Sequence, residues 1–147
     1  MPLLTAFPIN MKKKIFFRLA TALMLLVFTA STQAATQTIQ KLHDLLTQSI
    51  KSGDIEAALK LYEPDAIFIP ASGAPVKGRK AIAAQLASFT HADQAIETLA
   101  TQIWENDNII LVRSQWRYGS QTGTAIEVWH KDPKLGWRYV IDNPYGR

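Results

Sequence analysis

The chain has 147 residues, with 16 Lys and Arg against 12 Asp and Glu, a formal net charge of +4 and no cysteine. The lack of cysteine excludes a disulfide framework, a lipidated cysteine anchor, a thiol nucleophile and thiolate metal ligands. The basic excess suggests an anionic partner until its position is considered, because Lys12, Lys13, Lys14 and Arg18 all sit ahead of one apolar run, LATALMLLVFTA, from Leu19 to Ala30.

Small residues suited to a signal peptidase, Ser31-Thr32-Gln33-Ala34, follow that run, and charge, apolar stretch and small residues in this order are a secretory signal. Its twelve residues fall short of the roughly 20 that cross a bilayer as a helix, so cleavage after Ala34 is expected rather than anchoring. Met11 is a second candidate start, since Met1 to Asn10 adds nothing to the signal. The expected division is therefore a signal peptide over 1–34 and an exported domain over 35–147, periplasmic or secreted. Removing the signal leaves 12 basic and 12 acidic residues, which argues against a nucleic-acid groove and against membrane attachment after cleavage. The remainder suffices for one domain with its own core.

Ile39, Leu42, Leu45, Leu46 and Ile50 recur at helical spacing between Thr38 and Ser52, with Gly53 placed to end the helix. Asp54 can cap a second helix carrying Ile55, Ala58, Leu59 and Tyr62 on one side, which Pro64 stops. Ala66 to Ile69 reads as a short strand, Pro70 to Pro75 as a turn back to Val76 and Lys77, and Ile82, Leu86 and Phe89 as the face of a third helix. Four β-rich segments follow, Ala95 to Glu105, Ile109 to Tyr118, Thr122 to Lys131 and Trp137 to Ile141, separated by turn-forming residues. Helices first and meandering strands after predict an α+β domain.

Two stretches carry a resemblance. GDIEAALKLYEPDAIFIPASGAPVKGRKAIAAQL is similar to the helix, strand and G-x-x-x-x-G-R/K-x-A-I segment of SnoaL-like and ketosteroid-isomerase-like members of the nuclear transport factor 2-like superfamily. EVWHKDPKLGWRYVIDNPYG resembles the closing hairpin of that superfamily, including its form in the association domain of calcium/calmodulin-dependent kinase. The resemblance spans Thr36 to Gly146. It implies a cone-shaped roll, a curved and mostly antiparallel sheet wrapped around a long N-terminal helix with two further helices. An apolar pocket at the open end and a homodimer are implied with it.

Strand alternation puts Ala125, Glu127 and Trp129 on one face. In the kinase association domain the polar residue two before the Trp points into the pocket, and the matching position here is Glu127, a glutamate where that domain has arginine. Arg113, on the preceding strand, is a candidate partner for Glu127, either as a cross-strand salt bridge or as an ion pair holding a ligand. Asp142, Glu127 and Tyr62 are the candidate catalytic residues: an acid in an apolar cavity can move a proton beside a carbonyl while a tyrosine donates a hydrogen bond. Structural roles are open for each, as a strand-end acid, a paired charge and a core tyrosine. On a regular last strand Asp142 shares its face with Arg138 and Val140, opposite Trp137, Tyr139 and Ile141. Trp104, Trp129, Phe68 and Arg113 are candidate ligand contacts. His43, His91 and His130 lack metal spacing, and no phosphate loop or nucleophile elbow occurs, so neither a metal nor another cofactor is expected. Two functions stay open: a binding domain for a small, largely apolar organic molecule with no assigned reaction, or a cofactor-independent isomerase, dehydratase or cyclase.

Overall fold

The computed structural model describes residues 33–89 and 96–146, all but Gln33 and Ala34 belonging to the compact unit Ala35–Arg147. The expected signal peptide, apart from Gln33 and Ala34, lies outside the described residues, as does His91. Among the described residues no helix is long and apolar enough to cross a membrane.

Helix α1 is described over residues 33–52 and buries Ile39, His43 and Ile50 on one side, while Leu45 on the other is half exposed. Its polar face carries a bond one turn long, Gln40 Nε2 to Asp44 Oδ1 at 3.1 Å. Gly53, at φ 76°, takes the left-handed position that ends the helix. Its N–H reaches the Ile50 carbonyl at 3.0 Å and the Asp54 N–H reaches Ser49 at 2.9 Å, a Schellman pair that satisfies two orphan carbonyls. Asp54 then caps α2, Ile55–Leu59, by accepting from the Ala57 N–H at 2.9 Å.

Tyr62 is not on α2, contrary to the spacing argument. The helix stops at Leu59 because the sheet claims the following backbone: the Leu61 carbonyl accepts from Tyr139 N–H at 2.8 Å, and Tyr62 opens strand β1, Tyr62–Phe68. Pro64, read as a helix stop, lies inside β1, where the pairing is irregular between Tyr62 and Ile67 and no N–H is missed. A short β2, Val76–Lys77, pairs antiparallel with β1, and α3, Arg79–Ala87, follows with Ile82 and Leu86 buried. Arg79 fastens the start of α3 to β1, its Nη2 and Nε donating to the Tyr62 carbonyl at 2.6 and 3.1 Å.

The long strands are β3, Glu97–Asn106, β4, Ile109–Tyr118, β5, Gln121–Asp132, and β6, Gly136–Asn143. They join the first two in one sheet of order β2-β1-β6-β5-β4-β3, antiparallel except for the β1–β6 pair. The architecture is α+β: helices followed by a curved, open, mixed sheet. Its inner face packs Tyr62, Phe68, Ile110, Val112, Trp129 and Tyr139 with Ile39 and Ile50 of α1 and Ile82 and Leu86 of α3. Fully burying such side chains contributes about 1.5–3 kcal/mol each, the main force holding helices to sheet.

The outer face has a pattern of its own. Trp104 pairs with Leu111, Leu111 with Val128, Val128 with Ile141 and Ile141 with Ile67, so one apolar row crosses five strands. Trp104 and Leu111 are its exposed members, at 53% and 39%.

Candidate functional site

Alternation sends Ile110, Val112 and Ser114 of β4, and Ala125, Glu127 and Trp129 of β5, to the inner face. In β6 the alternation breaks. Val128 pairs with Ile141 and Trp129 with Tyr139, so Val140 is an extra residue in the β6 edge. This bulge puts Tyr139 and Asp142 on the same, inner face and corrects the regular-strand expectation, which set them on opposite faces.

Glu127 and Asp142 are direct cross-strand partners, both about 95% buried. Glu127 is held by three donors: His43 Nε2 at 2.8 Å and Trp129 Nε1 at 2.9 Å, both to Oε2, and the Ser114 hydroxyl at 3.4 Å to Oε1. Asp142 receives the Tyr62 hydroxyl at Oδ2, at 2.5 Å. Tyr62 stacks on Tyr139 with centroids 4.7 Å apart, and Tyr139 lies 3.6 Å from Trp129.

These groups form the polar end of a cavity of about 220 Å³. Leu46 and Ile50 of α1, Phe68, and Leu86 and Phe89 from the α3 end make its apolar sides, and Trp116, Tyr118, Pro144 and Tyr145 its other end. Among the described residues lining it there is no Lys or Arg, and His43 supplies the cation.

The electrostatics follow from burial. Loss of water pushes the Asp142 carboxyl up to about 7, and the adjacent charge of Glu127 pushes the same way, while the Tyr62 hydrogen bond and His43 pull back. Burial lowers the His43 imidazole, but the hydrogen bond and charge of Glu127, with Asp142 and Asp44, outweigh it and raise it above its ordinary value. Burial and the neighbouring carboxylates raise Tyr62 and Tyr139 well above the usual phenol range, so both stay neutral. A carboxyl that exchanges its proton near neutrality, beside a neutral hydroxyl donor in an apolar cavity, is equipped for general acid–base chemistry.

Asp142, Glu127, Tyr62 and Phe68 all line this cavity, and Trp129 is packed behind it as a donor to Glu127. Trp104 and Arg113 do not reach it. Arg113 pairs in register with Ile126, one residue out of phase with Glu127, and its Nη1 bonds Gln102 on the outer face at 3.2 Å. Trp104 sits in the exposed outer row, out of phase with the inward Ile103. Spacing had not singled out His43, Ser114, Trp116 or Tyr139 for the site. His43 had a signal, as a polar residue in the stripe Ile39, His43, Leu46, Ile50; the other three depended on strand register. Among the described residues no group of His, Cys, Asp or Glu is placed to hold a metal ion.

A curved sheet packed on helices around a polar-ended cavity defines a cone-type domain, and the comparisons name the family. The SnoaL-like domain model matches residues 42–132, more than half of the chain, and the protein belongs to that family within the nuclear transport factor 2-like superfamily. A superfamily protein from Salmonella enterica serovar Typhimurium is 23% identical, with a TM-score of 0.66, over 78% of this chain and 92% of its own. A Streptomyces avermitilis protein proposed to be a dehydratase of the same superfamily is 14% identical, TM-score 0.62, over 76% and 94%. A Xanthomonas campestris protein proposed to be a calcium/calmodulin-dependent protein kinase II association domain is also 14% identical, TM-score 0.61, over 75% and 86%. At these identities the likeness is one of fold. Comparison with curated proteins gives no match. The SnoaL-like fold supports a small-molecule-binding domain.

Proposed function

We propose that the protein is an exported, cofactor-independent enzyme of the isomerase or dehydratase type that moves a proton on a small, largely apolar carbonyl compound. The observation that carries this reading is the buried Asp142 carboxyl, poised at about 7 and joined to Tyr62 at the polar end of an apolar cavity. Asp142 takes a proton from the carbon beside the carbonyl and returns it elsewhere or to the departing hydroxyl. Tyr62 donates to Asp142 and steadies its charged form. Glu127 is already engaged by three donors, which leaves Asp142 as the carboxyl that faces the substrate. The reaction proposed for the Streptomyces neighbour is of this class.

Export is supported by the signal-like order of residues 1–34, and N-terminal sequencing of exported material should begin at Ala35. A homodimer is supported by the continuous apolar row on the outer sheet face, in which Trp104 and Leu111 are exposed.

The decisive test is hydrogen–deuterium exchange beside the carbonyl of 2-acetylnaphthalene, followed by NMR in D₂O. Wild-type protein should accelerate exchange, and Asp142→Asn should cut the rate by roughly 10²-fold or more while the protein stays folded. Exchange equal in both would leave a binding domain in place of an enzyme.

A further inference from the structure

The two ends of the cavity differ in what they permit. At the deep end stand two carboxyl groups, Glu127 of β5 and Asp142 of β6, and the groups facing them are His43 of α1, Tyr62 of β1, Ser114 of β4 and Tyr139 of β6. The one cation among these described groups, His43, is already bonded to Glu127 at 2.8 Å. A ligand carboxylate or phosphate placed there would meet like charge and find no free cationic partner.

The other end is built around Trp116. Its indole N–H donates to the Pro144 carbonyl at 2.6 Å, and its ring meets Tyr145 edge-on at 6.1 Å, so it pins the C-terminal segment as a wall of the cavity. Trp116 faces Gly123 across the β4–β5 pair. A Cβ on Gly123 would lie 2.3 Å from ring atom Cζ2, so the indole can take this seat only because residue 123 has no side chain. The bonded indole cannot swing aside without losing Pro144.

Between these ends about 220 Å³ is available. An apolar protein cavity of about 150 Å³ is enough for benzene, so this one has room for one ring with a carbonyl substituent, or for two fused rings.

We propose that the cavity selects an uncharged ligand of one or two rings, its polar group at Asp142 and Tyr62, and that Trp116, seated on Gly123, sets the ligand's length. This rests on the cavity being a ligand site, as proposed above, and not on any reaction occurring there.

The test is calorimetric binding to the whole exported protein of four probes: acetophenone, 2-acetylnaphthalene, the anion 2-naphthoate and the three-ring 2-acetylanthracene. Wild type should bind the first two, hold 2-naphthoate about 100-fold more weakly than its neutral isostere, and not bind the three-ring ketone. Trp116→Ala should admit 2-acetylanthracene, Gly123→Ala should alter the length limit by unseating the indole, and Trp116→Phe, which keeps a ring, should retain it. Circular dichroism establishes that each variant is folded. Equal binding of naphthoate and acetylnaphthalene, binding of neither neutral probe, or three-ring binding already in wild type would overturn the proposal without recourse to any variant. So would folded Trp116→Ala and Gly123→Ala proteins with wild-type limits. Loss of ketone exchange with ring and charge selection intact would sink the reaction alone; exchange with no such selection would sink this inference alone.

Discussion

Glu127 and Asp142 face each other across β5 and β6, yet Glu127 has His43, Trp129 and Ser114 as donors and Asp142 has Tyr62. Two acids one strand apart thus receive different surroundings: Glu127 is fastened by three donors, and Asp142 is left to gain and lose a proton near neutrality.

This division gives stability a definite pH dependence. The folded Asp142 carboxyl keeps its proton up to about 7, whereas the unfolded chain releases it near the ordinary value of 3.8. Across that window the unfolded state binds fewer protons, so stability is full below about 4 and falls as pH rises through 7. His43, raised above 6.5, acts with the same sign at higher pH. Asp142→Asn should remove a loss on the order of 4 kcal/mol between pH 4 and 8, leaving the smaller His43 part. Urea midpoints across that range check this, and parallel curves for wild type and variant would contradict it.

The His43–Glu127 pair should couple strongly. His43→Leu leaves the buried Glu127 without its cation and should cost about 3 kcal/mol or more. His43→Leu with Glu127→Leu should be less destabilised than the two single losses summed, because no unpaired charge remains. Additive losses in a double-mutant cycle would mean that the 2.8 Å contact carries no stabilising energy.

Tyr62 tests the proton-transfer reading from the donor side. Tyr62→Phe removes the 2.5 Å hydrogen bond that holds the Asp142 carboxyl down, so the acid limb of a pH–rate profile should move to higher pH. The rate itself should fall by roughly tenfold or more. An unmoved acid limb would separate Tyr62 from the mechanism.

For the outer face, wild-type protein should sediment as a dimer at micromolar concentration, and Leu111→Glu in the exposed row should give monomer with its cavity intact. A wild-type monomer at that concentration would end the dimer reading.

Much of this architecture was legible in local chemistry. Helical spacing and a glycine stop located α1, turn residues bounded the four long strands, and alternation along β5 set Ala125, Glu127 and Trp129 on one face, because these signals depend only on neighbours in the chain. The resemblance carried by the segments around Gly78 and Trp137 gave the cone. Where Tyr62 lay, which face Arg113 took and which side Asp142 faced were decided by pairing with distant strands. Leu61 leaves its helix for a bond to Tyr139, and Arg113 is one residue out of phase with Glu127. Val140 bulges and turns Asp142 inward. Sequence periodicity cannot anticipate a one-residue bulge, since it inverts every face assignment beyond it at no compositional sign. The residue types for proton chemistry were therefore present in the sequence, but their convergence on one cavity, and the choice of His43 over Arg113 as partner to Glu127, were determined by tertiary structure alone.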